Sequence, residues 1–227
     1  MAVTSVDPAG QWLYRVGGVS ALVLGVAYIV IFPLYAHVGA PPSGDGEAWL
    51  EYLAGKTTVW WAILALSVLT DFLYVPVALS LYLALKGVHR NAMLLATALV
   101  GLFVVLDLSV TWSAFASLLT LSGNYVAASN DVQRAAYVAA AHGASAVLTS
   151  RLEVVYAIVV LSSGILMIGF VMLKGVFSRT TAHLGVLTGI LGIVSMAGWS
   201  VTIIINAILA TVWLLFVGYR LYRLARQ

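Results

Sequence analysis

Asp71 lies near the middle of an apolar stretch of the sequence, where a carboxylate is unexpected. A charge inside a membrane must face protein or water, and it marks a functional site by default. Ser67 and Tyr74 share its face at helical spacing. Pro76 follows and would free the backbone carbonyl of Phe72. This set could bind a proton, a cation or a polar ligand, or a protonated Asp71 could instead hold helices together.

A second acid, Asp107, lies in the next apolar stretch, and Thr111 follows one turn later on the same helix face. Arg151 and Glu153 stand at the start of a later apolar stretch, on the side of the membrane that Asp107 approaches. We predict an ion pair between Asp107 and Arg151. The alternative is that Arg151 and Glu153 lie at the interface and contact water.

The last two apolar stretches carry residues that favour helix packing. Asn206 adds a polar group at depth, and asparagine in a membrane helix usually hydrogen-bonds to another helix. Gly185 and Gly189 form a small-residue pattern that indicates the close approach of another helix. That helix belongs to the same chain or to a second copy, so self-association or a partner subunit through Gly185 and Gly189 is a candidate interaction.

Motifs for cofactors are absent. The chain has no cysteine, which excludes disulfides and thiolate metal sites. His37, His89, His142 and His183 all fall at or beyond the ends of the apolar stretches, which argues against a bis-histidine haem within the bilayer. Phosphate-binding loops and hydrolase motifs are also missing. We expect no cofactor and no metal; the one weak pattern is that His37 and His142 share a side.

The composition defines the surroundings of these residues. The chain is 63% hydrophobic and 8% charged, whereas soluble domains are about 25% charged. So few charges cannot cover the surface of a water-soluble protein, and lipid must be the main solvent. We predict an all-α integral membrane protein in contact with membrane lipids. Its net charge of +3 then reflects membrane topology, and we expect no nucleic acid partner.

Six segments are long and apolar enough to cross a bilayer core of about 30 Å. They are residues 12–36, 59–85, 91–121, 150–173, 181–199 and 201–219, which together form a single domain, 1–227, with a tight turn near residues 198–200. If both termini are cytoplasmic, eight of the eleven Lys and Arg fall inside: Arg15, Lys86, Arg90, Lys174, Arg179, Arg220, Arg223 and Arg226. The positive-inside rule therefore predicts a six-helix bundle, N-in and C-in, in a plasma membrane.

Two segments on the predicted outer side are too long for simple turns. Residues 40–57 contain Asp45 as a helix cap and then a short amphipathic helix, and we expect Trp49 to dip into the membrane interface. Residues 123–149 contain an alanine-rich helix that we expect to break near Gly143. These two helices either cover the outer ends of the bundle or form a lid over a cavity.

A family resemblance is carried mainly by the helix that contains Asp71. Residues 70–85, TDFLYVPVALSLYLAL, with Arg90 and Asn91 after them, resemble the second helix and inner turn of a prokaryotic family named domain of unknown function 4386. The alanine-rich segment after Gly123 and the residues 170–174 and 183–185 are also similar. The resemblance implies six helices and no known chemistry, so it supplies no mechanism.

These residues leave three functions open. The favoured one is the binding or translocation of a proton, a cation or a small molecule through an intramembrane site that contains Asp71 and Asp107. The second is a structural or regulatory subunit of a larger membrane complex. The third, and less favoured, is a membrane enzyme acting on a lipid or a quinone, with Asp71, Asp107 and Glu153 as its acid–base groups.

Overall fold

The computed structural model describes residues 10–197 and 200–226, and within these ranges it is helical with no strand. The helices are α1 (Gln11–Val38), α2 (Gly46–Leu53), α3 (Thr57–Leu106), α4 (Ser113–Ala127), α5 (Asp131–Leu148), α6 (Arg151–Val154), α7 (Val160–Met172), α8 (Arg179–Val194) and α9 (Ser200–Leu224). Two π-helical turns, Asp107–Trp112 and Val155–Val159, join α3 to α4 and α6 to α7. The predicted all-α class is confirmed.

Within the described residues, five stretches of helix are long and apolar enough to cross a membrane: Gln11–Val38, Thr57–Ala127, Arg151–Met172, Arg179–Ala197 and Val201–Leu224. Their outward faces carry large apolar side chains such as Trp12, Leu94 and Val105, each at least 60% exposed. Such a surface needs lipid as its solvent, so the chain is a helical membrane protein. The turn predicted at residues 198–200 lies outside the described residues, apart from the start of α9 at Ser200.

The longest of these stretches, Thr57–Ala127, reverses direction at His89. Its backbone is helical on both sides, but His89 has φ −154° and ψ 87°. The imidazole of His89 then caps the second arm, because its Nδ1 accepts a hydrogen bond from Ala92 N at 3.2 Å. A side-chain acceptor at a helix start satisfies a backbone N–H that would otherwise lack a partner.

Contacts between the two arms show that they form a hairpin. The rings of Tyr74 and Phe103 meet edge to face with centroids 5.6 Å apart. Further along, the rings of Trp60 and Phe115 stack at 5.0 Å. The members of each pair lie at similar distances from His89 along the chain, as the arms of a hairpin require. A single straight rod could bring neither pair together.

The helices enclose two apolar cores. The larger core joins α1, α3, α7, α8 and α9 in the part of the bundle nearer His89. The smaller core, which we call the end core, comprises Val38, Trp49, Leu50, Leu53, Trp60, Ile63, Phe115, Leu118, Leu119 and Ala141. The predicted dip of Trp49 into the interface is wrong, because its side chain is only 2% exposed. The apolar face of α2 packs against α4 and α5 instead of lipid.

The predicted helix break near Gly143 is also wrong. Helix α5 continues through Gly143 to Leu148, and the chain breaks at Thr149. There the hydroxyl of Ser150 accepts a hydrogen bond from Leu152 N at 3.1 Å and caps α6. A Cβ at Gly143 would have no neighbour within 4 Å. This glycine therefore marks neither a turn nor a close contact, and the serine cap sets the break.

The two ends of the bundle differ in charge. One end of the bundle, which we call the basic end, contains the start of α1, the turn at His89, the α7–α8 connection and the end of α9. There Ser80 Oγ donates a hydrogen bond to Leu13 O at 2.6 Å. The Arg220 guanidinium donates two hydrogen bonds to Val176 O, at 2.8 and 3.0 Å. The basic end carries the eight cations that the topology prediction groups together. The opposite, acidic end carries Asp45, Glu47, Glu51, Asp131 and Glu153.

Candidate functional site

Asp71 and Asp107 lie equally far from His89 on the two arms of the hairpin, and they meet. One N–H joins them, because Trp112 Nε1 lies 2.9 Å from Asp71 Oδ2 and 3.1 Å from Asp107 Oδ2 and donates to both. The two carboxylate oxygens are therefore no farther apart than the sum of these distances. Asp71 is 3% exposed and Asp107 5%. The structure thus builds a buried carboxylate pair bridged by an indole.

A π-helical turn puts Trp112 in this position. In an α-helix the side chains three and four residues apart are neighbours, whereas a π turn brings residues i and i+5 together. Asp107 and Trp112 are the two ends of such a turn. The second π turn, Val155–Val159, packs directly against it. Single π turns inside α-helices are frequent at functional sites.

The carboxylate pair has unused hydrogen-bonding capacity. Asp107 Oδ1 and Thr111 Oγ1 are both buried, and neither has a hydrogen-bond partner within the described ranges. An unpaired buried acceptor destabilises a fold by about 1–3 kcal/mol, and more when it carries charge. Native proteins keep few such groups without a reason. Asp107 Oδ1 can therefore accept a hydrogen bond from a water molecule or from the Thr111 hydroxyl one turn along the helix, or it can bind a proton or a cation.

The predicted ion pair between Asp107 and Arg151 is wrong. Arg151 is exposed in the first turn of α6, while Asp107 is buried and its Oδ2 accepts from Trp112. Burying the guanidinium would require its desolvation, which the pairing would have to offset. The half-buried Glu153 lies within electrostatic range of Asp107 instead. The side chain of the acidic end that acts on the pair is therefore a third acid and not the predicted arginine.

The predicted companions of Asp71 on its own helix make other contacts. Ser67 is buried on the same face, and its carbonyl accepts from Thr70 Oγ1 at 2.7 Å. The hydroxyl of Tyr74 lies 3.1 Å from that of Tyr28 in α1. Sequence reasoning missed Tyr28, since nothing in the pattern of α1 indicates which helix it faces. The two tyrosines tie α1 to the arm that carries Asp71.

Asn206 makes the helix contact that its residue type suggests. Its Nδ2 donates to Thr188 O at 2.7 Å, which joins α9 to α8. The bond satisfies a buried amide with a backbone carbonyl of a neighbouring helix. Asn206 therefore acts in helix packing, and this bond does not involve the carboxylate pair.

Aromatic rings of the end core cover the site from the acidic end. The ring of Trp112 lies against that of Phe115 (centroids 5.6 Å apart), and Phe115 in turn contacts Trp49 of α2 (5.7 Å). At the rim, Tyr52 OH donates to Gly39 O at 2.8 Å. Burial raises the pKa of Tyr52 above its ordinary value, so this hydroxyl keeps its proton. These rings separate the carboxylates from water on that side.

Two cavities lie near the site, but neither carboxylate lines them. The first holds about 10 Å³ and is apolar apart from Tyr74 and Trp213 in its wall, which gives room for about a single water. The second is an open groove of about 640 Å³ between α4 and α5, lined by Ser113, Ala116, Ser117, Thr120, Leu121, Ala140 and Ala144. No acid–base group faces this groove, so it gives no support to an enzyme acting on lipid.

Comparisons with known proteins leave the site to be interpreted from its own geometry. No family model, no curated protein and no solved structure matches the chain. The resemblance to the family named domain of unknown function 4386 stays a prediction.

Replacing Trp112 by phenylalanine should lower the free energy of unfolding by about 0.6–2 kcal/mol, the usual contribution of an interhelical hydrogen bond in a membrane bundle. Phenylalanine keeps an aromatic ring against Phe115, but it lacks the pyrrole ring and its N–H, so both carboxylates lose their shared donor. Trp61→Phe is the matched control, since Trp61 is 44% exposed and should change stability by less than about 0.5 kcal/mol. Thermal unfolding in detergent compares them, and equal losses would contradict the bridging role of Trp112.

Proposed function

We propose that the protein is a six-span membrane protein that binds a proton at the Asp71–Asp107 pair and passes it across the membrane. The reversal at His89 supports the sixth span, because each arm of the hairpin is long enough to cross on its own. The cations at the basic end support an orientation with both termini in the cytoplasm of a prokaryotic cell.

The single observation that carries the proposal is the Trp112 N–H that both carboxylates share. Two carboxylates this close, away from water, cannot both be ionised. The pair therefore holds one proton, and the indole stabilises the remaining negative charge. Gaining or losing that proton changes the charge of a buried site, as a proton relay requires.

The surroundings favour a proton over a larger ligand. The cavity of about 10 Å³ beside Tyr74 has no room for an organic molecule, and the open groove of about 640 Å³ is not lined by Asp71 or Asp107. Within the described residues, no group of three His, Cys, Asp or Glu is arranged to hold a metal ion. A proton needs no cavity, and the unfilled Asp107 Oδ1 offers it an acceptor. Half-buried Glu153 supplies a further acid at the acidic end.

A structural role is the second candidate, and one observation favours it. The Asp71–Trp112–Asp107 bridge ties the two arms of the hairpin together, and interhelical bonds of this kind stabilise membrane bundles by about 0.6–2 kcal/mol. A subunit that only scaffolds a larger complex could use the pair for that purpose. It would then carry no proton current.

The test is proton uptake by proteoliposomes loaded with a pH-sensitive dye. An acid jump outside, with the membrane potential clamped by potassium and an ionophore, should acidify the lumen faster than in protein-free liposomes. Replacing sodium by choline should leave the rate unchanged. A rate equal to that of empty liposomes would refute proton transfer and favour scaffolding, while a strict need for sodium would move the proposal from a proton to a metal cation.

A further inference from the structure

Three exposed arginines of the basic end, at the start of α1 and the end of α9, have no described acidic neighbour. Seven carboxylates lie in the described ranges, and they belong either to the acidic end or to the Asp71–Asp107 pair. The remaining acid, Asp7, is outside those ranges. Arg15, Arg223 and Arg226 are exposed, and none makes an ion pair with a described carboxylate. Within the described residues, no carboxylate neutralises their positive charge.

One of these arginines binds a phenol of α9, and a second stands nearby on α1. Arg226 Nη2 donates to Tyr222 OH at 2.8 Å, and its guanidinium lies 4.6 Å from the ring centroid. Arg15 stands on α1 about one turn before Gly18. Helices α1 and α9 touch here, because a Cβ at Gly18 would stand 2.7 Å from Tyr222 N. The phenol accepts from Arg226, so its own hydrogen remains free to donate.

The surface beside this cluster is apolar and runs along the membrane-crossing parts of both helices. On α1, Arg15 is followed at helical spacing by Val19 and Val23, which are 45% and 43% exposed. On α9, Phe216 and Tyr219 precede Arg223 on one exposed face, and the Arg223 guanidinium lies 5.8 Å from the Tyr219 ring centroid. Each helix thus presents a cation beside an exposed apolar stripe.

We propose that Arg15, Tyr222 and Arg226 bind the phosphate of an anionic phospholipid, whose acyl chains lie along the exposed valines of α1. Guanidinium groups bind phosphate strongly through charge-assisted hydrogen bonds. The apolar stripe explains why the ligand is a membrane lipid rather than a dissolved anion, because only a lipid contacts the cations and the valines together. This site is independent of the carboxylate pair.

The test compares two charge-matched double variants in detergent, titrated with phosphatidylglycerol and followed by native mass spectrometry. Each cation near an anionic lipid contributes about fivefold in affinity, so Arg15→Gln with Arg226→Gln should weaken binding about 25-fold. Arg134→Gln with Arg151→Gln removes the same charge from exposed positions toward the acidic end and should leave binding unchanged. Arg15→Lys with Arg226→Lys keeps the charge and should retain most of the affinity.

Three results would overturn the proposal. The first is that both glutamine double variants lose the same affinity for phosphatidylglycerol. The second is that the wild type binds zwitterionic phosphatidylcholine as tightly as phosphatidylglycerol. The third is that the Arg15→Gln, Arg226→Gln double variant keeps the full affinity of the wild type. Inorganic phosphate at the same concentration should neither compete with the lipid nor raise the melting temperature. If it does both, the site binds a free anion and the assignment to lipid is wrong. Circular dichroism of each variant confirms that the compared proteins are folded.

Discussion

Asp71→Asn should abolish proton uptake by proteoliposomes while the protein remains folded. Asparagine has the size of aspartate, and its Oδ1 can still accept the Trp112 N–H that Asp71 Oδ2 accepts at 2.9 Å. It cannot gain or lose a proton at neutral pH. The rate should therefore fall to that of protein-free liposomes, whereas the melting temperature changes little, since the hairpin keeps its bridge.

The matched control is Asp131→Asn, which makes the same chemical change at an exposed position in the first turn of α5. It removes a charge at a helix start and should cost about 0.3–1 kcal/mol of stability, with uptake unaffected. Asp107→Asn should behave as Asp71→Asn does, because each variant leaves a single carboxylate without its proton-sharing partner. Proton uptake at the wild-type rate in Asp71→Asn or in Asp107→Asn would contradict the proton relay. The Asp71–Trp112–Asp107 bridge would then serve only helix packing.

The meeting of Asp71 and Asp107 shows how far the sequence could go. Their rarity within apolar stretches singled them out, because a buried charge is costly wherever its helix lies. The length of those stretches also predicted helices in a membrane. Neither argument depends on which surfaces touch, and both needed only composition and spacing. The predicted spans 59–85 and 91–121 also place a turn where the chain reverses at His89, but their spacing does not show that the faces carrying Asp71 and Asp107 meet.

The sequence analysis did not select Trp112, because α-helical spacing was assumed for the residues that face Asp107. At α-helical spacing Thr111 faces Asp107 and Trp112 does not. The π turn moves the indole over the carboxylate, and no simple periodicity predicts a π turn. A tryptophan away from the ends of its apolar stretch was the available indication, since a buried indole N–H needs an acceptor.

Errors about α2 and Arg151 have a common physical cause. An amphipathic pattern shows that a helix hides one face, but lipid and protein are equally apolar partners for Trp49. Opposite charges at similar depth suggest a pair, but an arginine that stays in water avoids desolvation altogether. In both cases the position of the side chain depends on which surroundings are available to it. Those surroundings are set by parts of the chain that lie far away in sequence.

Gly189→Ala should destabilise the protein by about 1–3 kcal/mol, the usual effect of overpacking a well-packed contact. A Cβ there would stand 2.5 Å from the Cβ of Leu166 and within 2.8 Å of its Cα and backbone N. Because two of these atoms belong to the backbone of α7, no change of side-chain rotamer relieves the clash. Helices α7 and α8 must move apart, which separates the most extensive helix contact in the chain.

Gly101→Ala is the matched control, since it places the same methyl group in a helix where a Cβ has no neighbour within 4 Å. It should stabilise the protein by about 0.5–1 kcal/mol, because alanine favours helix over glycine. Comparison of these two variants also tests self-association through Gly185 and Gly189, since both glycines already contact helices of their own chain. If Gly189→Ala dissociated an oligomer without lowering the melting temperature of the monomer, the glycine face would serve a second copy. A loss of monomer stability would show that the glycine face packs against helices of the same chain.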